Sequence, residues 1–223
     1  MPGYKDIFTT AITILVVAFF WLAALFLKGI GLQGRFTRNF LHFIAGLWGI
    51  LWLQFESPWV ASGIAFLGFL FLSLVIFFRD FPLFRDLAQP FSLSQEGRWG
   101  VALYSLSLFL ITSIFWGEKS IGTSLIFSLA LGDGMADAVG SRWGKIRLPL
   151  PWNRDKTLEG SIACFLGGIA GICFGFLLSG RTIPLIPLLF GGFICSVVEG
   201  MSPPELDNLF VPAFLGAFLL LVA

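Results

Sequence analysis

Leu131–Ser161 reads "LGDGMADAVGSRWGKIRLPLPWNRDKTLEGS" and holds nine of the chain's 27 charged side chains, with apolar segments on both sides. Charge this dense between greasy runs needs a reason. Apolar residues make up 57% of the 223-residue chain and charged ones only 12%, against about 25% in soluble domains. Together these features predict an all-α fold: one polytopic membrane domain, residues 1–223, with the charged stretch at a helix end. The net charge of +1 gives no case for nucleic acid as a partner. Cys164, Cys173 and Cys195 lie in apolar runs, with neither a CxxC pair nor a disulfide framework, and read as packing residues. Lys5 and Asp6 precede an uncharged run too long for a signal h-region and lacking an A-x-A site, so a first transmembrane helix is expected there.

About 20 apolar residues cross a bilayer core as a helix. Stretches poor in charge place candidate spans at 7–27, 39–55, 59–78, 99–117, 121–141, 159–180, 182–199 and 207–223, a bundle of seven to eight transmembrane helices. The second, seventh and eighth are short. Gly167, Gly171 and Gly175, and likewise Gly192, Ser196 and Gly200, recur at i, i+4 and i+8, forming ridges along which helix backbones approach closely.

With eight spans, eleven of the fourteen basic residues fall in the loops of one side: Lys28, Arg35, Arg38, Arg79, Arg85, Arg98, Arg142, Lys145, Arg147, Arg154 and Lys156. The positive-inside rule makes that side cytoplasmic. The loop "EGMSPPELDN" falls there too, with three acids and no base. The rule does not account for these acids, which implies another role for them.

Asp133 and Asp137, four apart, share one helix face. Gly140 and Gly144 continue that face and leave room beside it. Each carboxylate costs roughly 2.5–3.5 kcal/mol on insertion scales. A bound Mg²⁺, which takes one or two carboxylates plus substrate phosphates, relieves the cost; so does a purely structural pairing with Arg142 or Lys145. In "NRDKTLEGS", Asp155 or Thr157 suits a helix cap and Glu159 the positive first turn. Capping leaves Lys156 unexplained, since it sits at an anion-attracting helix start with Arg142, Lys145 and Arg154 upstream. Metal-binding acids and a phosphate-binding lysine together describe a nucleoside triphosphate site. Neither common glycine-rich phosphate loop is present.

"GDGMADAVGSRWG" followed by "KTLEGS" resembles the CTP-dependent lipid-alcohol kinases, polytopic membrane enzymes that phosphorylate a lipid hydroxyl. The compact length is most similar to their phytol kinase branch. Four blocks carry the resemblance. Arg38 and His42 in "RNFLH" are similar to the family's R-K-x-x-H, with Asn39 in place of the usual lysine. Arg98, Gly100 and Tyr104 form the second block. The third and most specific holds Gly132, Asp133, Gly134, Ala136, Gly140, Arg142 and Gly144, then Lys156, Thr157, Glu159, Gly160 and Ser161. Glu199, Asp207, Asn208 and Pro212 form the fourth. Glu199, Asp207 and Asn208 would otherwise serve as helix caps, and His42 as an interfacial packing residue.

The resemblance implies transfer of the γ-phosphoryl group of CTP to a long-chain isoprenoid alcohol, phytol above all, at the cytoplasmic face. Mg²⁺ on Asp133, helped by Asp137 or Glu159, would bridge the triphosphate. Lys156 and Arg142 would neutralise charge on the transferring group. Arg38, Lys145 and the blocks' small and polar residues would line the nucleotide site. His42, Asp137 and Asp207 are the alternatives for the proton acceptor. Other classes stay open: a CTP-dependent diacylglycerol kinase, a cytidylyltransferase releasing pyrophosphate, and an ion-coupled transporter whose buried acids carry cations.

Overall fold

A computed structural model describes residues 3–31, 40, 42–82, 84, 87, 99–150 and 155–223. Helices occupy all eight apolar stretches: α1 (Tyr4–Gly29), α2 (His42–Gln54), α3 (Pro58–Phe77), α4 (Gly100–Ile114), α5 (Trp116–Trp143), α6 (Leu158–Leu178), α7 (Leu185–Met201) and α8 (Asp207–Val222). Large apolar side chains face outward along them, among them Leu15, Phe19 and Leu22 on α1 and Leu67 and Phe77 on α3. A surface this apolar belongs in hydrocarbon. The chain is an α-helical membrane protein.

The expected seven to eight spans are not matched by helix length. Among the described residues, Tyr4–Leu27, Pro58–Phe77 and Leu158–Leu178 are long and apolar enough to cross a membrane, and α4 with α5 adds a fourth if the pair, bent by 84°, is one broken span. α4 stops at Ile114 and α7 starts at Leu185, each three residues inside its apolar run. α7 has 17 residues, about 25 Å of rise against a hydrocarbon core of about 30 Å.

α6 is the centre of the bundle, and its glycines explain why. A Cβ on Gly167 would stand 2.6 Å from the Leu131 carbonyl oxygen, and one on Gly171 or Gly175 would collide with the backbone of Ser128 or Ser124. Backbone contact on this scale lets the Ser124 and Ser128 hydroxyls of α5 donate to the Ile172 and Gly168 carbonyls, at 3.1 and 3.2 Å. On α7, Gly192 meets α6 at the Phe165 carbonyl, and the Ser196 hydroxyl donates to Ser161 O at 2.8 Å. The α6 ridge and the Gly192–Ser196 part of the α7 ridge are helix contacts, while Gly200 meets the Leu150 side chain of the connection before α6.

Polar ties gather the helix ends into two groups. At one end Asp6 accepts from the amides of Glu56 and Ser57, Lys5 pairs with Glu56, Lys119 donates to the Phe55 carbonyl, and Arg181 pairs with Glu118. At the other, Asn208 of α8 donates to the Gly100 carbonyl of α4 at 3.4 Å, beside the charged groups described next.

Candidate active site

α5 opens with a 3₁₀ turn, is α-helical over Lys119–Ser128, takes a π turn over Leu129–Asp133, and resumes as α-helix from Gly134. Single π turns inside α-helices are frequent at functional sites. This one ends on Asp133, whose Oδ2 lies 3.4 Å from Nε2 of His42. The His42 ring packs edge-on against Tyr104, 4.2 Å between centroids.

Two further acids converge on Asp133. Glu199 comes from the end of α7 and Asp207 from the start of α8. One carboxylate oxygen from each of the three lies within 4.8 Å of the others. The link between α7 and α8 makes this convergence: Glu205 takes a left-handed backbone (φ 72°), unusual for a side-chain-bearing residue, and turns the chain back. Asn208 then locks the start of α8. Its amide NH₂ donates to the Glu205 and Gly100 carbonyls, its backbone N–H donates to Asp207 Oδ1, and its own carbonyl accepts from Ser107.

Lys156, just before α6, supplies the counter-charge. Its ammonium donates to Glu199 Oε1 and lies 3.7 Å from Asp207 Oδ2. Burial disfavours the charge on Lys156, but Glu199, Asp207 and Asp133 outweigh it and raise its pKa. Glu199 is 2% exposed, and its Oε2 is buried without a hydrogen-bond partner among the described residues. Three clustered carboxylates, one with an unsatisfied buried oxygen, form a donor set of hard oxygens that fits Mg²⁺.

The sequence-predicted residues divide into three groups. His42, Asp133, Lys156, Glu199 and Asp207 come together. Asp137, Gly140, Thr157, Gly160, Ser161 and Asn208 line the same cavity. Asp137, expected beside Asp133 as a metal ligand, is not in the acid cluster; Glu199 and Asp207 stand there instead, since the cluster forms across three helices rather than along one. Thr157 caps α6, its hydroxyl accepting from the Gly160 amide at 3.2 Å. Gly140 and Gly160 touch where α5 crosses α6, Gly144 packs under Thr157, and Gly134 packs against the Phe43 ring.

The third group does not reach the cavity. Glu159 accepts from the Ile146 amide at 3.3 Å and so pins the loop after α5. Arg142 is exposed and lies over the Trp143 ring, and Lys145 is exposed too. Arg38 lies outside the described residues.

The cavity encloses about 1150 Å³. Its polar end holds the acids and Lys156. A second arm is apolar, lined by Phe20, Trp48, Leu51, Phe71, Leu72 and Leu108. Sequence reasoning did not locate this arm, because its wall comes from α1 to α4 and no local pattern marks which apolar faces line a cavity. The acid cluster did have a signal: the base-free loop that the charge rule left unexplained contributes two of its three members. A polar site joined to an apolar arm can hold a charged donor at one end and a lipid at the other.

Known proteins point the same way. The chain is 31% identical over 207 residues to "Probable phytol kinase 2, chloroplastic" of Oryza sativa subsp. japonica, covering 81% of this chain and 64% of that protein. It is 29% identical over 231 residues to "Probable phytol kinase 3, chloroplastic" of Glycine max, covering 95% and 70%. With "Phytol kinase 1, chloroplastic" of Arabidopsis thaliana it shares 28% over 154 residues, covering 66% and 48%. The chain spans about half to two thirds of the length of the maize, soybean and rice relatives it matches. No protein-family profile and no solved structure matches it.

Proposed function

For a chain that is a relative of the phytol kinases, we propose a CTP-dependent kinase that phosphorylates a long-chain isoprenoid alcohol, with phytol as the leading substrate. The observation that carries this reading is the single cavity joining the Asp133–Glu199–Asp207 cluster and Lys156 to an apolar arm. A kinase of lipid alcohols has to bring a triphosphate and a greasy chain to one point.

Asp133, Glu199 and Asp207 would hold Mg²⁺, which when bound offsets the negative charge of the triphosphate. Lys156 binds phosphate oxygens and stabilises the charge that builds up during transfer, the largest catalytic contribution expected in phosphoryl transfer. His42, facing Asp133, orients that carboxylate. Asp137, one turn along α5 on the cavity wall and outside the cluster, takes the proton of the attacking alcohol. The alcohol oxygen bonds to the γ-phosphorus, the bond between that phosphorus and the β,γ-bridging oxygen breaks, and CDP leaves.

We read the eight apolar segments as seven to eight crossings with the site at the cytoplasmic face. The grouping of helix ends supports this, with the Lys5, Lys119 and Arg181 contacts at one end and the acid cluster at the other. The deciding experiment gives purified protein labelled CTP, Mg²⁺ and a panel of lipid alcohols. Phytyl phosphate with equimolar CDP is expected. Pyrophosphate release would instead identify a cytidylyltransferase, and ion flux without nucleotide turnover a transporter.

A further inference from the structure

The apolar arm has an open flank. α1 buries Asp6, Thr9 and Thr13 against the bundle, and the next buried residue is Ala24. Between them Val16, Val17, Phe20 and Trp21 line the cavity, so here α1 stands off from its neighbours. Val17 is 60% exposed although it lines the cavity, and so is Phe71 across the gap on α3, at 43%. A residue that both lines a cavity and faces outward marks an opening. The Trp21 and Phe71 rings approach to 6.1 Å at 60°, bridging α1 and α3 across it. On an outward apolar flank such an opening faces lipid tails rather than water.

The cavity-lining residues of α1 run from Thr13 to Trp21, about 12 Å along the helix axis. An extended chain gains ~3.3–3.6 Å per three bonds, so this length of wall lies along roughly ten chain carbons. Gly100, Tyr104 and Leu108 line the cavity at successive turns of α4, one wall running from the polar end into the arm. Tyr104 sits where the arm meets the polar site, against His42, and its hydroxyl is buried without a hydrogen-bond partner among the described residues. A hydroxyl there is placed to meet that of an incoming alcohol.

We propose that the gap between α1 and α3, flanked by Val17, Trp21 and Phe71, is the lateral mouth through which the acceptor lipid enters. Its hydroxyl rests at Tyr104, roughly ten carbons fill the arm, and the remaining tail stays in the bilayer outside the mouth. This inference rests on the kinase function proposed above and names the path its acceptor takes. The mouth makes recognition depend on the first carbons of the chain and leaves the far tail unread.

Two measurements test it. Val17→Trp fills the mouth from an exposed position, so it does not overpack the core. It should raise the KM for phytol about tenfold more than that for a short soluble prenol, since a steric clash of about 1–3 kcal/mol falls on the long chain alone. Equal shifts for both acceptors would overturn the proposal. Separately, a lipid alcohol carrying a photoreactive diazirine near its tenth carbon should label wild-type protein within residues 16–21 or 68–72, read by mass spectrometry of the adducts. Adducts concentrated on α6 or α7 would overturn it even with the kinase active. A wild-type chain that phosphorylates neither alcohol would instead overturn the function on which the mouth rests.

Discussion

Lys156 donates a hydrogen bond to Glu199 across 43 positions of sequence. The lysine precedes α6 and the acid ends α7, so this one contact ties the connection after α5 to the connection before α8. Glu199 is almost wholly enclosed, while the Lys156 side chain is one-fifth exposed. Removing the lysine strands a carboxylate beside Asp133 and Asp207.

Lys156→Met should therefore cost stability at the low end of the roughly 3–5 kcal/mol seen when one partner of a buried pair is removed, because the lysine is not fully enclosed. Lys156→Met combined with Glu199→Gln should recover at least half of the loss. Thermal unfolding in detergent reads both, and simple additivity of the two losses would sink the pairing. The raised pKa of Lys156 fixes the sign of the pH effect. Its stabilising charge is fully present below the ordinary lysine value of 10.5 and is lost only as pH rises beyond it. Lys156 should therefore stay charged through neutral pH.

The acid cluster makes a second prediction. Asp133→Asn, Glu199→Gln and Asp207→Asn should each weaken Mn²⁺ binding, measured by electron paramagnetic resonance, and lower turnover on the order of 10²–10³. Asp137→Asn should lower turnover with Mn²⁺ affinity nearly intact, since Asp137 is outside the cluster. If Asp137→Asn alone abolished Mn²⁺ binding, the metal would belong to the α5 face instead. Chelation should stop turnover and added Mg²⁺ restore it.

Asp133 was legible in the sequence because a charged residue inside an apolar run is costly wherever it lands. Its partners were not. Asp137 looked like the natural partner because i, i+4 spacing is the only adjacency a sequence displays, whereas Glu199 and Asp207 meet Asp133 through the left-handed turn at Glu205. Glu159 looked catalytic beside Lys156, yet Lys156 precedes the Thr157 cap while Glu159 lies in the first turn of α6, where its carboxylate accepts from the Ile146 amide. Helix positions were legible from charge-poor runs. Helix lengths were not, because composition does not mark where a helix starts or stops inside an apolar run, as α7 does at Leu185 and α4 at Ile114.

The glycine ridge on α6 was equally legible, and its cost is measurable. At Gly171 a new Cβ meets the Ser128 backbone, which cannot rotate away as a side chain could. Gly171→Val should destabilise by at least the 1–3 kcal/mol typical of overpacking. Ser128 adjoins the π turn that carries Asp133, so Mn²⁺ affinity should fall as well. Gly180, with no neighbour in reach of a Cβ but a positive φ of 69°, is the contrasting site. Gly180→Asn, a residue that tolerates that conformation, should change neither reading. A Gly171→Val protein as stable as wild type would contradict the backbone contact between α5 and α6.

The last prediction concerns which ends share a side of the membrane. Glu56, Glu118 and Arg181 are tied into one end by the Lys5–Glu56 and Glu118–Arg181 pairs, while Arg147 and Asp155 pair at the end that holds the acid cluster. Asp80, exposed just past the C-terminal end of α3, belongs with Arg147 if α3 crosses. Single cysteines at 56 and 181 should label with a membrane-impermeant maleimide from one side of sealed vesicles, and cysteines at 80 and 147 only from the other. The reagent's charge keeps it out of hydrocarbon, so labelling reports the aqueous side alone. Arg181→Cys tests the short helices in particular: it lies between α6 and α7, and if α7 and α8 also cross, a cysteine appended after Ala223 should label from the same side as position 181. Labelling of positions 147 and 181 from one side would refute the orientation, whatever the kinase assay shows.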